Sequence, residues 1–162
     1  MINVRPAIAL DASSMARLLN AIIEEGGTTA IAKPVSGADL SDWMASNDGR
    51  AAWHVAVNAG EEVMGFQWIA PGAEYLPPEA AEIATFVQIG QTGLGIGSKL
   101  FEATRMAAKS IGYKWINANI RADNEGGLIY YQSRGFQDYG RIEGYEMSNG
   151  QIVDKVLKRF DL

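Results

Sequence analysis

Two hydrophobic periods interleave along this chain. Residues 2–5 alternate and stop at Pro6, which predicts a short first strand. After Asp11, the apolar positions Met15, Leu18, Leu19, Ile22 and Ile23 follow the helical period. Asp11 is the expected cap of that helix, and Gly26-Gly27 its end. Residues 39–46 predict a second short helix closed by the turn Asn47-Asp48-Gly49. Residues 52–58 and 63–70 read as strands around Ala59-Gly60-Glu61. Pro71-Gly72 and Pro77-Pro78 mark a long irregular connection before a strand over 82–89.

A glycine-rich turn spans 90–97. The helix after it, with the stripe Ile96, Leu100, Ala103, Ala107 and Ile111, stops at Gly112. Residues 113–121 predict a strand, and a helix from Asn124 through Ser133 ends at Gly135. Residues 136–147 and 152–160 form a closing hairpin about Ser148-Asn149-Gly150. The order β-α-α-β-β-β-α-β-α-β-β predicts an α/β chain: one mixed sheet with helices packed on its faces. No repeat or linker interrupts it, so residues 1–162 are read as one domain.

Composition narrows the chemistry. Hydrophobic residues make up 48% and charged residues 20% of the 162 positions, a globular balance. There is no cysteine, which excludes disulfides, zinc thiolates and cysteine nucleophiles. The single histidine, His54, reads as a strand residue, and no metal is expected. The formal charge of −5 and the scattered basic residues argue against nucleic acid as a partner. No apolar run is long enough to span a bilayer, and no signal peptide precedes Pro6, so a cytoplasmic protein is expected.

The turn Gln91-Thr92-Gly93-Leu94-Gly95-Ile96-Gly97-Ser98 lies between a strand and a helix. Backbone N–H groups at such a helix start lack internal partners, and the helix dipole favours an anion there. Two phosphate-binding patterns fail on detail. A P-loop requires Gly-Lys-Ser/Thr, but here Gly97 precedes Ser98-Lys99. A dinucleotide fingerprint requires a third glycine or alanine where Leu100 stands, and an acid where the next strand carries Asn117 and Asn119.

The same turn resembles the acetyl-coenzyme A signature of the GNAT superfamily of N-acetyltransferases, Arg/Gln-x-x-Gly-x-Gly/Ala. Thr92, Gly95 and Gly97 occupy its first, fourth and sixth positions, with threonine departing from the usual Arg or Gln. Downstream, the segment from Asn124 to Phe136 is similar to the family's asparagine-led helix ending in Tyr-x-x-x-Gly-Phe, with Tyr131 seven residues after Asn124. The stretch Glu25-Gly26-Gly27-Thr28-Thr29-Ala30-Ile31 resembles phosphinothricin-type acetyltransferases, which acetylate small amino-acid analogues.

The resemblance implies a mostly antiparallel sheet of about seven strands with about four flanking helices, in which parallel strands four and five splay apart. It implies acetyl-CoA as cosubstrate and a small-molecule primary amine as acceptor, and it is compatible with a homodimer through the C-terminal strands. The diphosphate is expected on backbone N–H groups of Gly93, Leu94, Gly95, Ile96, Gly97 and Ser98. The pantetheine arm is expected along Thr85, Phe86 and Val87 with Asn124 beside it. Glu82, on an otherwise apolar strand, is the expected general base, its pKa raised by desolvation. Tyr131 is the expected acid for the leaving thiolate, while Tyr130 is read as core. Thr28, Thr29, Glu74 and Tyr75 fall in the loops expected to line the acceptor site. A non-catalytic acetyl-CoA-binding module, a protein N-terminal or lysine acetyltransferase, and a nucleotide-binding α/β protein are the rival readings.

Overall fold

A computed structural model describes residues 1–46, 49–91 and 94–162. Seven strands form one sheet in the order β1-β2-β3-β4-β5-β7-β6. They are β1 (Asn3–Pro6), β2 (Ala52–Val57), β3 (Val63–Pro71), β4 (Ala80–Val87), β5 (Trp115–Arg121), β6 (Gln137–Glu146) and β7 (Ile152–Asp161). Four helices accompany them: α1 (Ala12–Glu25), α2 (Gly37–Ala45), α3 (Ile96–Ile111) and α4 (Glu125–Ser133). Among the described residues, no helix is long and apolar enough to cross a membrane.

Side-chain alternation assigns each helix pair to a face. Trp53, Val55, Phe66 and Phe86 turn to one side and pack with Met15, Leu18 and Leu19 of α1 and Leu40 of α2. Ile69, Ile83, Ile116, Ala118 and Ile120 turn to the other and pack with Phe101, Ala108, Tyr131 and Phe136. Ala56, Met64, Ile96 and Leu100 form a third, smaller cluster under the start of α3.

The feature that shapes the molecule is the β4–β5 pair. These strands run parallel, and only Ala80–Ile83 pair with Trp115–Ala118. Beyond that register β4 continues to Val87 and β5 to Arg121 without pairing to each other, so the sheet opens as a wedge toward their C-terminal ends.

Several local expectations are corrected. Asp11 makes no side-chain cap on α1. Its carboxylate instead accepts from Ile8 N–H at 2.9 Å and from both ends of the Arg5 guanidinium, at 2.8 and 2.9 Å. A short 3₁₀ turn, Ala9–Asp11, therefore precedes α1. Ser36 caps α2, exchanging bonds with Asp39 in a capping box. The fully buried stripe of α3 is Ile96, Leu100, Phe101, Thr104 and Ala108, while Ala103, Ala107 and Ile111 lie at its margin. Tyr113 precedes β5 rather than opening it, because its N–H and that of Gly112 both close back on Ala108 O. The turn residues Asn47 and Asp48 lie outside the described residues.

Candidate active site

A cavity of about 1040 Å³ fills the wedge between β4 and β5. Both faces of β4 contribute to its wall: Glu82, Ala84 and Phe86 from the α1 side, Ile83, Thr85 and Val87 from the α3 side. A strand in a closed sheet shows a cavity only one face; the missing neighbour makes both accessible here. The size suits a small-molecule site of the larger kind.

At one end stands the start of α3. Gly95 precedes it with φ of 78°, a left-handed conformation, and has open space where a Cβ would project. Lys99 N–H is bonded to Gly95 O at 3.1 Å. The N–H groups of Ile96, Gly97 and Ser98 thus precede the helix's own ladder, and all three residues line the cavity. Gly97 is constrained differently. A Cβ there would lie 2.6 Å from Tyr130 Cε1, so glycine at this position makes room for an aromatic ring. Lys99 turns away and donates to Ile2 O at 3.2 Å. Leu94 is 61% exposed and absent from the cavity wall, and Thr92 and Gly93 lie outside the described residues.

A hydrogen-bonded chain joins the two inner elements. Gln67, fully buried on β3, donates through Nε2 to Thr85 Oγ1 at 2.8 Å and to the Tyr130 hydroxyl at 3.1 Å. The Thr85 and Tyr131 hydroxyls are 2.8 Å apart. Tyr130 donates onward to Gly97 O at 2.7 Å. Burial pushes both phenols up, Tyr130 to about 12 and Tyr131 well above the ordinary tyrosine value. Tyr130 packs against the second core, as its sequence position suggests, yet it also lines the cavity.

Glu82 reaches the cavity from the opposite face. Desolvation raises its pKa, and the Ala73 N–H, the Asn119 amide and the Lys155 ammonium each pull it partway back. The same face carries Asn119 and Arg121 on β5 and Lys155 on β7, all lining the cavity. Tyr75 stands one layer behind. Its hydroxyl accepts from the amides of Asn117 and Asn119, both at 3.2 Å, and neither Tyr75 nor Glu74 forms the cavity wall.

Thr28 and Thr29 do line the cavity, and two residues fasten them there. Asn124 caps α4 through Gly127 N–H at 3.0 Å and uses its amide to donate to Thr28 O at 3.1 Å. Arg121 donates to Thr29 O at 3.2 Å. Sequence reasoning passed over Gln67, Tyr130, Arg121 and Lys155. An uncharged polar residue inside the apolar run 63–70 was the one available signal for Gln67. His54 sits on β2 away from the cavity.

Residues 16–136 match the model of the acetyltransferase (GNAT) family, and the chain belongs to that family. It is thus an acyltransferase. A curated relative is YwnH of Bacillus subtilis (strain 168), provisionally named a phosphinothricin acetyltransferase. It is 25% identical over 153 residues, covering 92% of this chain and 93% of YwnH. Among solved structures, a GNAT phosphinothricin acetyltransferase from Sinorhizobium meliloti in complex with acetyl-CoA has a TM-score of 0.88 at 18% identity, over 99% of this chain and 88% of that one. Ribosomal-protein-alanine N-acetyltransferase from Brucella melitensis has a TM-score of 0.89 at 21% identity, over 99% of both chains. These two likenesses establish the fold.

Proposed function

We propose that the protein transfers the acetyl group of acetyl-CoA directly to the primary amine of a small molecule, an amino acid or an analogue of one. The observation that carries this reading is the wedge itself. It is lined at once by the open helix start at Ile96–Ser98, by both faces of β4, and by a carboxylate and a phenol from opposite sides of the sheet. The phosphinothricin acetyltransferase name of YwnH favours an amino-acid analogue as acceptor.

In this reading the diphosphate rests on the N–H groups of Ile96, Gly97 and Ser98, where the dipole of α3 adds to their attraction. The pantetheine arm pairs with the free edge of β4 at Thr85, Phe86 and Val87, as an added strand would. Asn124 flanks the arm. Thr28 and Thr29 border the acceptor.

The acceptor enters as an ammonium and has no lone pair. Glu82 removes one proton, directly or through water, and the neutral nitrogen attacks the thioester carbonyl. A main-chain N–H of Phe86 or Val87 steadies the oxyanion. The C–S bond then breaks, the Tyr131 phenol protonates the departing sulfur, the nitrogen's second proton restores the phenol, and Glu82 releases the first to solvent. A thiol has an ordinary pKa of about 8.5 and a phenol about 10, so the raised Tyr131 remains a proton carrier throughout the neutral range. When Gln67 donates to Thr85 and Thr85 to Tyr131, the phenol's own proton stays free for the departing sulfur.

The test is release of free thiol from acetyl-CoA over a panel of small amines, a peptide N-terminus and a lysine peptide, with calorimetry of coenzyme A alongside. Turnover restricted to small amines is expected. Turnover with peptides alone moves the acceptor to proteins. Coenzyme A binding without any turnover makes the protein a binding module, and no binding removes the reading altogether.

A further inference from the structure

Three basic side chains among the described residues are buried, and two of them have a carboxylate. Arg121 is held bidentately by Asp123, at 2.9 and 2.7 Å. Lys158 pairs with Asp138. Lys155 is the exception. It is 8% exposed, and among the described residues no carboxylate lies within ion-pair distance and no acceptor takes its protons. Its ammonium stands 3.5 Å from the centroid of the Tyr145 ring, and the side chain lines the cavity.

The local chain is built to produce this. The β6–β7 register shifts between Ile142 and Tyr145, and Gly144 sits in that irregularity with φ of 67°. Gly144 N–H is tied to Asp154 Oδ1 at 3.0 Å. The shift sets Tyr145 opposite Val153, two residues from Lys155 on the same face. Register also fixes which face that is. Glu82 pairs with Asn117, and Arg121, four residues along β5, pairs with Lys155. Lys155 and Glu82 therefore reach the cavity from one side of the sheet.

The Lys155 ammonium thus opens on the cavity with no bonded carboxylate among the described residues, only the more distant charge of Glu82 and an aromatic face, and keeps unused capacity for an anion. A ligand anion would complete its shell. We propose that Lys155 is a specificity-determining residue that receives an anionic group of the acceptor, a carboxylate or phosphinate carried by the same molecule as the reacting amine. This rests on the transfer reading above and narrows its substrate class. Glu82 then meets the amine end of the acceptor and Lys155 its acid end, so amines without an acid group, such as the carboxamides, bind poorly.

The experiment compares L-α-amino acids and phosphinothricin with their carboxamides and with the decarboxylated amines, by thiol release, in the wild type, Lys155→Met and Lys155→Arg. Methionine preserves the volume and the contact with Tyr145; thermal melting and the KM for acetyl-CoA report any general damage. The expected result is a wild-type preference for the acids, a rise in KM in Lys155→Met that is roughly 10- to 100-fold larger for the acids than for the amines without an acid group, and recovery in Lys155→Arg. Equal wild-type use of acids and of amines without an acid group, or an equal change in KM for both in Lys155→Met, overturns the proposal and leaves acetyl transfer standing. No turnover with either class overturns the transfer reading, and this inference with it.

Discussion

The ring of Tyr130 occupies the space where Gly97 would carry a side chain, with Cε1 only 2.6 Å from an ideal Cβ, and the Tyr130 hydroxyl donates to Gly97 O. Helix α4 is thereby locked to the first turn of α3, where the backbone N–H groups face the cavity. The contact predicts a coupled pair. Gly97→Ala should cost roughly 1–3 kcal/mol by overpacking and raise the KM for acetyl-CoA. Tyr130→Leu should relieve much of the clash, so the double variant is expected to be less damaged than the sum of the singles. A double-mutant cycle in urea checks this.

Removing the carboxylate tests Glu82. Glu82→Gln should lower kcat by roughly 10²- to 10⁴-fold, the usual worth of a positioned base. The variant should regain rate as pH rises and the free amine deprotonates unaided. Wild-type kcat/KM should fall as acid protonates Glu82, with a midpoint above the ordinary carboxylate value because burial raises that pKa. Initial rates from pH 5 to 9 on both proteins decide it.

The same group makes a stability prediction whose sign is fixed. A raised folded-state pKa means the native protein holds the Glu82 proton more tightly than the unfolded chain does. Its contribution is fully present below the unfolded value and is lost as pH rises through the folded one. Glu82→Gln should therefore melt close to the wild type at pH 4 and increasingly above it toward pH 7. Melting curves across that window would read the gap.

Replacing Tyr131 by Phe keeps its packing in the second core and removes one hydroxyl. The loss of the Thr85 contact should cost about 1 kcal/mol of stability. If the phenol protonates the leaving sulfur, kcat should fall roughly 10²-fold or more while the KM for acetyl-CoA changes little. Steady-state kinetics at saturating amine separate the two.

Asn124 has two jobs, and each has its own readout. Asn124→Ala should cost about 1 kcal/mol for the lost helix cap. It also releases Thr28 O, and the acceptor KM should rise more than that for acetyl-CoA. Asn124→Ser can still cap α4 but is too short to reach Thr28. It should restore the stability and leave the acceptor KM high.

Much of the architecture was legible because it is written in local signals. Gly26, Gly112 and Gly135 stop helices with positive φ, and the alternation in β2 and β3 survives into their packing. The parting of β4 and β5 was legible through family resemblance alone; periodicity carries no trace of a hydrogen bond that two parallel strands fail to make. The start of β4 was missed because Ala80 and Ala81, fully buried, carry no strand preference. Asp11 misled because a carboxylate before a helix can serve either the helix or an arginine, and Arg5 won with two bonds. Lys155 was invisible for a deeper reason. Its burial depends on the β5–β7 register, set by pairing with chain far away in sequence, and on an irregularity at Gly144 that no periodicity in the closing hairpin marks.

The four-residue seam between β4 and β5 has a mechanical corollary. On either side of it lie two slabs, one ending in β4 and the other beginning in β5, with few backbone ties across the gap. A molecule wedged between them and bonded to the β4 edge serves as the missing stitch, so occupancy and rigidity rise together. Amide exchange at the upper ends of both strands should slow on saturation with coenzyme A, while amides in β2 and β3 remain as they were.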